Sequence, residues 1–172
     1  MSPIIEGGLG PYEVAGAPVQ GTNEVQTLTI GGTPDGGTFK LKFDGYTTAA
    51  ITWSATTATL LANIQAALDA LPNVGTNGLI VAEGSLTGGV GTVTLTGGGN
   101  LINLAIPTVT VANNSLTGTT PTLAIAETTP GVTATMRGAK KGALLVDTTN
   151  GILYINTNTA LDPTWTKVGT QS

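Results

Sequence analysis

Histidine and cysteine are both missing from the 172 residues of this chain. Without histidine, the usual general base and the commonest metal ligand are gone. Without cysteine there is no disulfide framework, no thiolate metal site and no thiol nucleophile. Charge is scarce too, at 9% of residues against about 25% in ordinary domains. Ten acidic and six basic residues leave a net charge of −4, so the basic patch of a nucleic-acid binder is not expected. No apolar run reaches the ~18 residues that a membrane helix needs. The first six residues lack a basic and then an apolar stretch, so no signal peptide is expected.

The motifs of catalysis are missing in the same way. The glycine-rich stretches are not followed by the Lys-Ser/Thr of a phosphate-binding loop, and Gly97-Gly98-Gly99 does not open a helical pattern. Ser54, Ser85 and Ser115 have no partner base, and the acids are scattered along the chain. The expectation is a protein that is not an enzyme and has no cofactor and no metal.

What is present is apolar, small and turn-forming. Forty per cent of residues are hydrophobic, and there are 25 glycines and 9 prolines. That hydrophobicity with so little net charge argues against wholesale disorder. The alternative is a β-rich globule whose exterior is Thr, Ser, Asn and Gly. Charged groups resist burial because they must be desolvated, and interface centres are depleted in them. Such an exterior suits a subunit that sits in an assembly.

Along the chain, residues 1–22 read as an extended N-terminal arm, broken by Pro3, Pro11 and Pro18 and by repeated glycines. Its apolar residues Ile4, Ile5, Leu9, Tyr12 and Val14 are candidate contacts with a neighbouring subunit or shell. A main domain over 23–130 reads as β-β-β-α-β-β-β-β. Val25, Leu28 and Ile30 mark its first strand, and 31–37 is expected to turn. Phe39, Leu41 and Phe43 alternate with Lys40, Lys42 and Asp44, the period of a strand with one buried face. A third strand over 47–53 follows the turn signal Asp44-Gly45. Leu60, Leu61, Ile64, Ala67, Leu68 and Leu71 form one helical stripe, predicting a helix over 56–71 that is capped by a hydroxyl from 54–57 and stopped by Pro72. Four strands should follow, at 79–83, 91–96, 107–111 and 122–127, with turns at Asn113-Asn114 and Thr117-Gly118 among others.

A linker over 131–141 carries Arg137, Lys140 and Lys141, which are suited to an acidic neighbouring surface. Residues 142–172 read as a small three-stranded module around an Asn150-Gly151 type I′ hairpin, with Tyr154 and Trp165 as candidate oligomer contacts. So few strands cannot bury a core alone, and the module must dock on the main domain or on copies of itself. Tyr12, Tyr46, Trp53, Tyr154 and Trp165 also leave open a sugar-stacking site.

Two stretches carry a resemblance. Residues 24–30, then 37–45 and the 60–71 helix, resemble a domain of phage virion proteins, especially those of tailed actinobacteriophages. Residues 142–156, closing with Trp165-Thr166-Lys167-Val168-Gly169, resemble a short β-module at the ends of phage head-decoration and fibre-like proteins. The resemblance implies a capsid decoration (cement) protein on the outer surface of the virion. Its partners would be the major capsid protein and itself, as a homo-oligomer with a trimer favoured, and neither nucleic acid nor membrane. A tail or fibre component and a carbohydrate-binding adhesin module are the rival readings.

Overall fold

The computed structural model describes residues 11–170. They form two units, one of residues 23–131 and one joining the chain up to Thr22 with the chain from Val132 onward. β1 (Tyr12–Val14) belongs to the smaller unit. β2 (Val25–Phe43), β3 (Tyr46–Thr47), β4 (Ile51–Thr52), α1 (Thr57–Asp69), β5 (Leu79–Thr87), β6 (Val90–Gly97) and β7 (Thr110–Thr129) build the larger one. β8 (Leu144–Asp147), β9 (Ile152–Asn156) and β10 (Trp165–Lys167) return to the smaller. The chain is mainly β, with a single α-helix among the described residues, as the sequence predicts.

β2 is the spine of the larger unit. β7 runs antiparallel along one side of it, while β6 and then β4 and β3 pair along the other, with β5 beyond β6. The turn expected at 31–37 is instead the middle of β2, paired with β7 through register shifts between Gly31 and Thr33 and between Pro34 and Gly36. The glycines here serve bulges and close approach and do not reverse the chain. A Cβ on Gly32 (φ +76°) would lie 2.1 Å from the Thr120 carbonyl oxygen, and one on Gly37 (φ +88°) 2.3 Å from that of Ser115. For the same reason Asn113-Asn114 and Thr117-Gly118 are not turns. They lie inside β7, one strand where two were expected.

The period-2 stretch behaves as predicted: Phe39, Leu41 and Phe43 are buried, and Lys40, Lys42 and Asp44 are exposed. The third strand splits into β3 and β4, with buried Thr48 between them donating its N–H to the Leu41 carbonyl at 2.9 Å and accepting the Leu41 N–H on its hydroxyl at 3.0 Å. α1 packs fully buried Leu60, Ile64 and Leu68 into the core with Leu28, Ile30, Leu79, Val93 and Leu95, each such side chain contributing about 1.5–3 kcal/mol. The helix is shorter than 56–71. Thr56 is its N-cap but makes no side-chain cap bond, and the Ser54 hydroxyl instead accepts the Thr56 N–H. Leu71 stays in the core just past the helix end.

Two buried polar residues fasten the chain before β7. Glu24 accepts the Ile106 N–H at 2.8 Å, and Gln26 accepts that of Val109 at 2.7 Å while donating to Glu24 and to the Pro107 carbonyl. Their polar atoms are thereby satisfied inside the protein, which removes most of the cost of burying them.

The smaller unit is a four-stranded sheet in the order β1-β8-β9-β10, not the three strands expected. The fourth strand comes from the stretch read as an arm, since β1 pairs parallel with β8, Tyr12 beside Leu145 and Val14 beside Asp147. Further along, Thr22 pairs with Val132, and the Thr135 N–H bonds the Val19 carbonyl. The stretch read as a linker therefore belongs to this unit and buries Ala134 and Ala139. The hairpin is not type I′: only Gly151 (φ +67°) is left-handed, and its N–H bonds the Asp147 carbonyl four residues back.

Candidate interaction surfaces

The residues singled out in the sequence separate into three groups. Ile4, Ile5 and Leu9 lie outside the described residues. Tyr12, Val14, Tyr154 and Trp165 are committed to their own unit: Tyr154 and Trp165 are buried with Leu145 and Ala139, and Tyr12 and Val14 pack against that cluster. The Trp165 indole N–H also donates to the Thr135 carbonyl at 2.8 Å. These four fill a core where contacts with a partner were expected. Lys140 and Lys141 are exposed and Arg137 is half-buried, so the basic stretch lies at the surface of this unit.

Asp147 holds the hairpin and the N-terminal strand together. Its carboxylate accepts N–H groups from Gly16 (3.0 Å), Thr149 (2.9 Å) and Asn150 (3.1 Å), and the Asn150 side-chain amide at 2.7 Å. The Asn150 amide above all, with the three backbone donors, lowers its pKa below the usual carboxylate value, although burial opposes them. Thr148 adds bonds from its N–H and its hydroxyl to the Val14 carbonyl. Asn156 organises the other end, donating to the Ala139 carbonyl and accepting the N–H groups of Asn158 and Thr164.

The pleat that buries Leu145 and Tyr154 turns their neighbours outward. Leu144 lies beside Ile155, and Val146 beside Leu153, on the opposite face of the sheet. Val168 continues this row, its N–H bonded to the Leu153 carbonyl. Leu144 is 40% exposed and Val168 37%, and Val146, Leu153 and Ile155 are half-buried. Exposed Glu13, beside Val146, and exposed Thr166, beside Ile155, flank the row. An apolar centre with a polar rim is the composition of a protein–protein contact. These five residues were not singled out in the sequence, although the unbroken apolar runs Leu144-Leu145-Val146 and Ile152-Leu153-Tyr154-Ile155 carried the signal, since such a run puts apolar side chains on both faces of a strand.

The two outer strands of the larger sheet are treated differently. β5 is guarded, because the Gln65 side chain on α1 donates to the Leu79 carbonyl and accepts the Val81 N–H, both at 2.8 Å. In the middle of β7, Asn114 plays the same part, donating to the Pro121 carbonyl and accepting the Leu116 N–H. Beyond Pro121, β7 pairs only with β2 among the described residues.

Among the described residues no three acidic or metal-ligating side chains cluster, and the groove between α1 and β4 is lined largely by alanines, Ala49, Ala50, Ala66 and Ala70 among them. No helix among the described residues is long and apolar enough to cross a membrane. No known protein family matches the chain, and no curated protein matches it in sequence.

Proposed function

We propose that this chain is a virion structural protein, a phage capsid decoration protein that binds the outer surface of the major-capsid lattice as a symmetric oligomer, with a trimer favoured, and stabilises the shell. The observation that carries this reading is the outer face of the smaller unit. Its own core is one small cluster on one side of a four-stranded sheet, and a core that size rarely sustains a fold unaided. The opposite side offers Leu144, Val146, Leu153, Ile155 and Val168, which a copy of the same unit can cover without burying a charge. Symmetry then multiplies modest contacts with the shell. A ligand that binds the assembled lattice but not its separated subunits stabilises the lattice by linkage.

The other supports are a composition with only 9% charged residues and a division into two units. A sugar-stacking site is less well supported, since Tyr12, Tyr154 and Trp165 are tied into the core of one unit and the Trp53 indole N–H is bonded to the Gly89 carbonyl. The test is copy number in purified particles, measured by quantitative mass spectrometry against the major capsid protein. A count near parity with the capsid subunit supports lattice-wide decoration. A handful of copies moves the protein to the tail or fibres, and its absence from particles ends the virion reading.

A further inference from the structure

We infer that the outer edge of β7, over residues 122–127, is a second self-association surface, which pairs antiparallel with the same edge of another copy about a two-fold axis at Ala124. This goes beyond the decoration reading and uses none of the residues on the outer face of the smaller unit.

The larger sheet ends asymmetrically. A strand edge offers a row of unpaired N–H and C=O groups to any passing strand, and proteins ordinarily cover or charge it. Here Gln65 covers β5 and Asn114 covers the middle of β7. After Pro121 no such side chain covers the edge among the described residues, and the sequence Thr-Leu-Ala-Ile-Ala-Glu carries a single charge and no proline. The core is unfinished at the same place. Leu123 and Ile125 pack against it, opposite Ile30 and Leu28 on β2, yet remain half-buried at the rim.

The occupant follows from pairing this strand with itself. With the axis at Ala124, Leu123 of one copy stands opposite Ile125 of the other, twice, on the core-facing side. Cross-strand Cβ atoms then lie about 4.5–5.5 Å apart, so the two unfinished rims complete each other. On the outward side, Thr122 meets Ala126. Glu127 falls opposite Pro121, and the two Glu127 residues stand six positions apart along the ladder. That is about 20 Å, well beyond the Debye length of about 8 Å at physiological salt. A parallel arrangement in register would instead place the two acids side by side. The ladder supplies on the order of six backbone hydrogen bonds, within the range of ordinary interfaces. Pairing ends naturally at residues 118–120, where Gly118 (φ +119°) and Thr120 (φ +46°) bend the strand. The product is one continuous sheet, β5-β6-β2-β7 joined to its mirror order in the second copy, closed by a two-fold so that it does not propagate from this edge.

The absence of native cysteine makes the geometry directly testable. Ala124→Cys puts a thiol opposite its own symmetry mate, whereas Ala62→Cys, on the exposed side of α1, has none. In a mild redox buffer, Ala124→Cys should form a covalent dimer and Ala62→Cys should not. Ala124→Lys sets two like charges face to face, so the mass of the native oligomer in solution should halve while circular dichroism and melting temperature are kept. Hydrogen exchange of the unaltered protein should show residues 122–127 gaining protection as concentration rises. The proposal fails if Ala124→Cys dimerises no more than Ala62→Cys, if Ala124→Lys leaves the mass unchanged, or if those amides exchange alike at all concentrations. None of these measurements uses phage particles, so failure of the decoration reading leaves this one standing, and the reverse.

Discussion

Asp147 accepts the backbone N–H of Gly16 at 3.0 Å across 131 positions of the chain. That bond, with β1 beside β8, ties the N-terminal stretch into the C-terminal sheet. A segment that the sequence presents as an arm for a neighbour is, from Tyr12 onward, part of its own module. Removing residues 1–20 to test shell attachment would therefore strip a strand from the sheet, and a truncation that stops before Tyr12 is the cleaner experiment.

The same bond makes the module sensitive to acid. The folded-state pKa of Asp147 is lowered, relative to about 3.9 for a free aspartate. The unfolded chain thus takes up the proton first as pH falls. The stabilisation is complete above the unfolded value and is lost as pH drops through the lowered folded value. The protection of the Gly16, Thr149 and Asn150 amides, measured against their intrinsic exchange rates, should fall over that interval. Asp147→Asn, which keeps an acceptor but no charge, should flatten the profile. Identical acid profiles for the two proteins would show that the carboxylate is not the clamp.

Glycine substitutions separate conformation from crowding. A Cβ added to Gly45 (φ +87°) would have nothing within 4 Å, whereas one added to Gly32 (φ +76°) would meet the Thr120 carbonyl oxygen at 2.1 Å. Gly45→Ala should cost about 1–2 kcal/mol, the left-handed penalty alone. Gly32→Ala should lose a further 1–3 kcal/mol or so from overpacking. Denaturant midpoints at unchanged slope would measure both. Equal losses would mean that the β2–β7 ladder relaxes freely at its bulges.

How far the sequence reaches is visible in the same strands. Phe39, Leu41 and Phe43 were legible because alternation is local, and so was the stripe from Leu60 to Leu68. The continuous course of β2 and β7 was not, because Gly32, Gly37 and Gly118 look alike in sequence whether they reverse a chain or let two backbones approach. β1 was hidden for another reason: three residues carry no periodic signal, and their partner lies more than a hundred positions away. Tyr154 and Trp165, read in the sequence as candidate contacts, are buried in the core of their own unit, because composition does not say which pleat faces inward. The outer face was overlooked for the same reason.

Trp165→Ala tests that reassignment. A buried tryptophan truncated to alanine costs about 3–5 kcal/mol, and its lost indole bond leaves the Thr135 carbonyl without that donor. Exchange protection should fall across β8, β9 and β10 while β2 and β6, in the other unit, keep theirs. A Trp165→Ala protein with full protection in the smaller unit and weakened self-association would return this residue to the role of a contact.

Leu144→Lys probes the outer face with the least damage to the fold. Leu144 is 40% exposed, and surface substitutions away from special features usually change stability by no more than about 0.5 kcal/mol. The isolated chain should therefore melt where the unaltered protein does. In the oligomer the same position is to be desolvated against a copy of itself, and burying an unpaired ammonium costs several kcal/mol per site. A loss of that size, repeated at each symmetry-related contact, should dissociate the oligomer at micromolar concentration and, through lost multivalency, strip the protein from particles. Sedimentation velocity on the isolated chain and occupancy on purified particles read the two effects separately. Dissociation together with lost occupancy places self-association at this face and makes it a condition of binding. Retention of both would show that the apolar row of Leu144, Val146, Leu153, Ile155 and Val168 covers nothing in the assembly, and the proposed contact would be withdrawn.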